Sequence, residues 1–136
     1  MNEFGLFAHG EAFDADAYLA ETKLRIDYVW RRGDQRRYSC VEIALGDGRA
    51  VPYFEQGEIA IDYLKSHRDE LRALAKFPGV ETFILGLQYH VQIGESTIGF
   101  SIGPSPLLMW HALDIGVRPT YYVSLDRRPE WECEVT

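Results

Sequence analysis

Thr82-Phe83-Ile84-Leu85-Gly86-Leu87-Gln88-Tyr89-His90-Val91-Gln92-Ile93 decides the fold class. Phe83, Leu85, Leu87, Tyr89, Val91 and Ile93 fall on one side of an extended chain, and Gln88, His90 and Gln92 fall with Ile84 on the other. Side chains of a strand alternate faces, so this segment is a long strand with one buried face. Gly94-Glu95-Ser96 reads as a turn, after which Ile98, Phe100 and Ile102 carry a partner strand back as a hairpin. A sheet with one apolar face must be covered, and the flanking segments supply helices to cover it.

Just before this strand, Ala60, Leu64, His67, Leu71, Leu74 and Ala75 recur at three- and four-residue spacing, which predicts a helix over Glu58 to Phe77. Lys65 and Asp69 sit one turn apart on its other side, and Pro78-Gly79 stops it. After the hairpin, Ser105 caps and Pro106 opens a helix that runs through Leu108, Trp110 and Leu113 to Gly116, with Trp110 expected in the core. Arg118 to Leu125 reads as a strand, and Trp131, Cys133 and Val135 alternate with Glu130, Glu132 and Glu134 as a short edge strand. Further toward the N-terminus, Phe4, Leu6 and Ala8 mark a first strand, and Asp14 caps a short helix that ends near Thr22. Tyr38 to Leu45 is a strand, with Val41, Ile43 and Leu45 on one face. Gly46-Asp47-Gly48 is a turn, and Pro52 demotes Ala50 to Phe54 to an edge strand or an irregular segment. The expected fold is one α+β domain over residues 1–136, a mostly antiparallel sheet of about five strands with three helices packed on it. A ferredoxin-like split arrangement is one concrete form of it.

The 136 residues suit a single domain able to bury a proper core, and 46% hydrophobic with 26% charged residues is ordinary for a globular protein. A formal net charge of −7 argues against general nucleic-acid binding, since phosphate is repelled. Two cysteines, Cys40 and Cys133, form neither a disulfide framework nor a C-x-x-C pair. The N-terminus lacks the pattern of a signal peptide and no run approaches the ~18 apolar residues of a membrane span, so a reduced cytoplasmic protein is expected.

The charge is uneven. Five arginines (Arg25, Arg31, Arg32, Arg36, Arg37) and two aspartates (Asp27, Asp34) give residues 25 to 37 a net +3 and leave −10 on the remainder. Tyr28, Trp30 and Tyr38 are interleaved with them. Guanidinium groups offer a planar fork of donors and stack on aromatic rings, so Arg31, Arg32 and Arg36 are candidate anion ligands, against the alternative that the arginines pair with the protein's own acids. His9, His67, His90 and His111 form no metal-ligand spacing. His67 is expected to be a half-buried core residue, whereas His9 and His90 meet if the first strand neighbours the long one. Asp14 and Asp16 read as helix-start acids rather than a catalytic pair. Ser39-Cys40 has no nucleophile partner nearby, and no phosphate-cradling loop follows Gly46-Asp47-Gly48. No catalytic residue, metal ligand or cofactor site is expected.

Phe13-Asp14-Ala15-Asp16 entering a helix, then Val29-Trp30-Arg31-Arg32-Gly33-Asp34 and Tyr38-Ser39, resembles the bacterial domain of unknown function 4279 family. Ser105-Pro106-Leu107-Leu108, Leu113-Asp114-Ile115-Gly116-Val117 and Tyr121-Tyr122-Val123 are similar to that family too, so the resemblance spans most of the chain. It implies a small α+β protein with no assigned activity, in which Trp30, Gly33 and Asp34 are structural markers.

The favoured expectation is a non-enzymatic protein-binding module of the immunity type, which masks the active site of a basic, nuclease-like bacterial toxin domain. The acidic remainder would give complementary potential. Glu55, Glu58, Asp62, Glu130, Trp131 and Glu132 are the expected contacts, Trp131 serving as an anchor. The alternative is a small-molecule or anion-binding domain, or an enzyme, with a cleft around Arg31, Arg32, His9 and His90. A third reading is a subunit that pairs with itself through a sheet edge, so monomer and homodimer both remain open. No direct contact with nucleic acid or membrane is expected.

Overall fold

Strand β1 (Gly5–Gly10) occupies the centre of the sheet, hydrogen-bonded on both edges. It is followed by α1 (Ala15–Glu21), β2 (Tyr28–Trp30), β3 (Ser39–Ala44), α2 (Tyr53–Ser66), α3 (Arg68–Ala75), β4 (Thr82–Ile93), α4 (Pro106–Ile115) and β5 (Arg118–Arg127). The structure, a computed structural model, describes residues 4–33, 35–93 and 105–127, with side chains over 4–33, 35–89 and 105–123. The strand order is β2-β3-β1-β4-β5. β1 is antiparallel to β3 and β4, β2 is antiparallel to β3, and β5 runs parallel to β4. A parallel neighbour needs a crossover connection, and α4 lies on it. Up to β4 the chain follows the β-α-β-β-α-β pattern with β4-β1-β3-β2 order, the ferredoxin-like split arrangement, and α4 and β5 extend it. The sheet is therefore mixed. The expected return strand at Ile98 to Ile102 and the expected edge strand at Trp131 to Val135 lie outside the described residues.

Local chemistry explains most element boundaries. The Asp14 carboxylate accepts a 3.0 Å bond from the Ala17 N–H and starts α1. Ser105 Oγ accepts from the Leu108 N–H, Pro106 occupies the first turn, and Gly116 closes α4 at φ +95°, the left-handed conformation that favours glycine.

Two boundaries differ from expectation. Pro52 does not mark an edge strand; with φ −57° it stands at the N-cap of α2, and its carbonyl accepts from the Glu55 and Gln56 N–H groups, so the helix begins at Tyr53. The single helix expected over Glu58 to Phe77 is two helices, making four in all among the described residues. The break falls at His67 (φ −121°, ψ 27°), whose ring stacks on Tyr63 at 4.2 Å with Nδ1 3.2 Å from the Tyr63 carbonyl oxygen, the group that also accepts the His67 N–H. The apolar stripe continues across the break, because Leu64 and Leu71 are seven residues, about two turns, apart. That continuity is what makes the pair read as one helix.

The helices bury their stripes against one sheet face. Leu6, Ala8, Val41, Ile43, Phe83, Leu85 and Leu87 meet Ala60, Leu64, Leu71, Leu74, Leu108 and Ala112 in one cluster. Each fully buried leucine contributes roughly 1.5–3 kcal/mol relative to exposure. α3 and α4 are also joined by Asp114, which accepts from Arg68 and Arg72. The hydrogen bond from Arg68 holds the Asp114 carboxyl below the usual carboxylate range.

One buried polar residue locks α2 to the sheet. β4 extends past the end of β1, and there the Gln56 side chain acts in place of a strand. Its oxygen accepts from the Gln88 N–H at 2.8 Å, and its amide donates to the Gln88 carbonyl at 2.8 Å and the Val51 carbonyl at 2.9 Å. Gln56 is fully buried, so these bonds are made without competition from water. Gln56→Leu keeps the volume but removes those partners. We expect a loss of about 2–4 kcal/mol in urea unfolding; a loss below about 0.5 kcal/mol would show that the amide is not a structural clamp.

Candidate functional site

The sheet face opposite the helices carries the second set of alternating side chains. β1 places Phe7 and His9 there, β2 Trp30, β3 Cys40, β4 Ile84 and β5 Tyr122. The segment between β2 and β3 folds over this face. Gly33 and Arg36 exchange two backbone hydrogen bonds and close a narrow turn, while the Arg32 N–H donates to Ser39 Oγ at 3.0 Å and ties down the base. Gln35, Arg36, Arg37 and Tyr38 thereby rim a cavity of about 470 Å³ whose floor is the sheet. The Arg36 guanidinium lies 4.9 Å from the centre of the Trp30 ring, and the His9 and Tyr38 rings meet at 5.1 Å. His9 is half-buried, and its Nδ1 is fully buried with no hydrogen-bond partner. An unpartnered buried polar atom of this kind costs about 1–3 kcal/mol.

The arginine segment divides into two groups. Arg31 forms a forked pair with Asp16, donating to both carboxylate oxygens at 2.8–3.2 Å, and Asp16 is held below its usual range by that bond. Arg32 donates to the Glu11 carbonyl. Neither of these two expected anion ligands lines the cavity. Arg36 does, joined by Arg37, and neither has an ion-pair partner among the described residues.

The expected meeting of His9 and His90 does not occur. β1 does neighbour β4, but the register sets His9 opposite Thr82. His90 is eight residues further along, about 26 Å at the rise of a strand. Asp14 caps α1, as its position suggests. Burial pushes the Cys40 thiol up to about 12, so it stays protonated and is no nucleophile. Among the described residues, no group of three or more His, Cys, Asp or Glu is placed to hold a metal ion.

A second candidate surface lies on the helix layer. Of the eight large apolar side chains left exposed among the described residues, Phe54, Ile59, Leu107, Trp110 and Leu113 belong to α2 and α4. Trp110, expected in the core, is 61% exposed, because α4 buries Leu108, Ala112 and Ile115 and turns Leu107, Trp110 and Leu113 outward. α2 buries Gln56, Ala60 and Leu64, and its outward side carries Phe54 (71% exposed) and Ile59 interleaved with Glu55, Glu58 and Asp62. A groove of about 450 Å³ runs between the starts of the two helices, lined by Phe54, Glu58, Leu107 and neighbouring side chains. The three expected acidic contacts of α2 thus share one face. Glu130, Trp131 and Glu132 lie outside the described residues. The α4 members of the patch are hard to read from sequence, because a mostly apolar short helix has few polar residues to mark what faces out.

Glu42 is a carboxylate of the sheet face beside the cavity. It is 1% exposed, Oε1 has no hydrogen-bond partner, and burial together with the neighbouring Asp27 carboxylate raises its pKa. A raised folded value means that protonation favours the folded state. The protein is unburdened below the ordinary glutamate value of 4.5 and loses stability as pH rises through the folded value. Glu42→Met therefore raises the melting temperature near neutral pH, by the equivalent of about 1 kcal/mol, and the advantage shrinks as pH falls toward 4.5. Thermal unfolding followed by circular dichroism at both pH values checks this, and an equal effect at the two would refute it. Comparisons with protein-family models, with curated proteins and with solved structures find no match to this chain.

Proposed function

We propose that the protein is a non-enzymatic binding module that docks a basic protein partner on the outward side of α2 and α4. In its specific form it is an immunity-type protein that covers the active site of a toxin domain. The observation that carries this reading is that α2 and α4 leave Phe54, Ile59, Leu107, Trp110 and Leu113 exposed, with Glu55, Glu58 and Asp62 exposed on α2 and Phe54, Glu58 and Leu107 lining one groove. Tryptophan and large apolar side chains form the energetic centre of interfaces, and each forgoes roughly 1.5–3 kcal/mol of burial while it stays in water. The acids around them select the partner's sign, because a basic surface gains steering from them and an acidic one is repelled. The net charge of −7 acts in the same direction at longer range. The acidic tail with Trp131 belongs to the same proposal. So does kinship with the domain of unknown function 4279 family, which assigns no chemistry of its own.

The test uses the product of the adjacent gene. A one-to-one complex is expected in light scattering. Trp110→Ala with Phe54→Ser should weaken it about a hundredfold or more, mainly through faster dissociation, without lowering the melting temperature. Glu55→Lys with Glu58→Lys and Asp62→Lys should slow association about tenfold at low salt and less at high salt. Unchanged affinity in both variants, or no complex with that product, would overturn the reading.

A further inference from the structure

The cavity on the other side of the sheet is independent of the protein-binding face and asks for a different occupant. Its walls are aromatic, with Trp30, Tyr38 and Tyr122 standing over a floor that includes Phe7 and Ile84. Its volume of about 470 Å³ falls in the range of small-molecule sites. Among the described residues, no acidic side chain lines it. Two guanidinium groups do, and neither has a carboxylate partner among the described residues, whereas the nearby Arg31 is tied to Asp16. In an acidic protein such a local excess of positive charge is not what average composition produces.

We propose that this cavity binds a planar aromatic anion, its ring stacked against Trp30 and Tyr38 and its carboxylate or phosphate held by Arg36 and Arg37. The cation–π contact with Trp30 fixes the Arg36 guanidinium in place, and the fork of a fixed guanidinium is preorganised for a two-pronged bond to an oxyanion. His9 lines the cavity beside Tyr38, and its buried Nδ1 has no hydrogen-bond partner among the described residues. Cys40 is protonated on the cavity floor, and the Glu42 carboxyl beside it shares the tendency, so neither adds negative charge to compete with the ligand. The chemistry is recognition, with no covalent step.

Isothermal titration of the full chain with four probes tests this: indole-3-acetate, adenosine 5′-monophosphate, indole and inorganic phosphate. At least one of the two aromatic anions should bind about tenfold or more tightly than indole or phosphate. A preference for the first assigns the anion as a carboxylate, and a preference for the second assigns it as a nucleotide; either supports the proposal. Arg36→Gln with Arg37→Gln, both exposed positions, should weaken binding about tenfold or more at unchanged melting temperature, as should Trp30→Leu, whereas Arg31→Gln should not. Should Trp30→Leu fail to fold, the arginine pair decides. The proposal is overturned if neither aromatic anion binds below about 1 mM, if indole or phosphate binds equally well, or if the arginine variant binds like the parent. The arginine variant should still capture the protein partner on α2 and α4, which separates failure here from failure of the proposed function.

Discussion

Among the described residues, the helices cover only one face of the sheet, and the other elements answer that constraint. β1 is hydrogen-bonded along both edges and sends Leu6 and Ala8 to the helices and Phe7 and His9 to the other side. That second face is also apolar, so something other than a helix has to shelter it. Part of it is sheltered by the β2–β3 segment, which is too short to form a packed layer. It spans the strands as a rim, and the space left beneath is the aromatic cavity. The cavity is thus a consequence of topology: among the described residues, helices pack on one face of the sheet and the β2–β3 segment spans part of the other.

Electrostatics then sorts the residues on each side. A net charge of −7 would ordinarily coat every surface with acid. Here acids line the outward side of α2, while Glu42, beside the cavity, is buried and shifted toward its neutral form. Arg31 and Asp16 neutralise each other at the edge of the β2–β3 segment. As an exposed pair they add little stability, but they hold the start of that segment against α1. Arg36 and Arg37 remain to present charge over aromatic rings.

How much of this could be read from sequence follows from the range of the interactions. The β4 alternation, the Asp14 and Ser105 caps and the Gly116 stop are local, and each stands where its residues indicate. The α2–α3 break escaped because the buried stripe is continuous through it, and the start of α2 escaped because Pro52 breaks a strand and begins a helix with equal ease. The arginine-rich segment was visible as a binding candidate, yet which arginines are free depended on Asp16, fifteen residues away, and on the turn joining Gly33 to Arg36. His9 and His90 illustrate the same limit. Their meeting is conditional on adjacency of their strands; the strands are adjacent, but register decides contact, and it places Thr82 opposite His9.

The two candidate surfaces use opposite faces of the same strands, which raises the question of coupling. Coupling requires an element with two discrete arrangements that both sites bias. β1 and β3 pair residue for residue from Gly5↔Ala44 to Gly10↔Ser39, and β1 and β4 from Gly5↔Gly86 to His9↔Thr82, with no bulge between. A shift of one residue would turn Leu6 and Leu85 outward and Phe7 and Ile84 into the core, so register has no second setting of comparable energy. The Gln56 amide clamps α2 to β4 in the same way, since sliding the helix would remove hydrogen bonds from a buried strand end. A rigid plate carrying a site on each face transmits little between them. A ligand proposed for the cavity and a partner proposed for the helices would therefore act on this molecule as independent events, and their effects on stability would add.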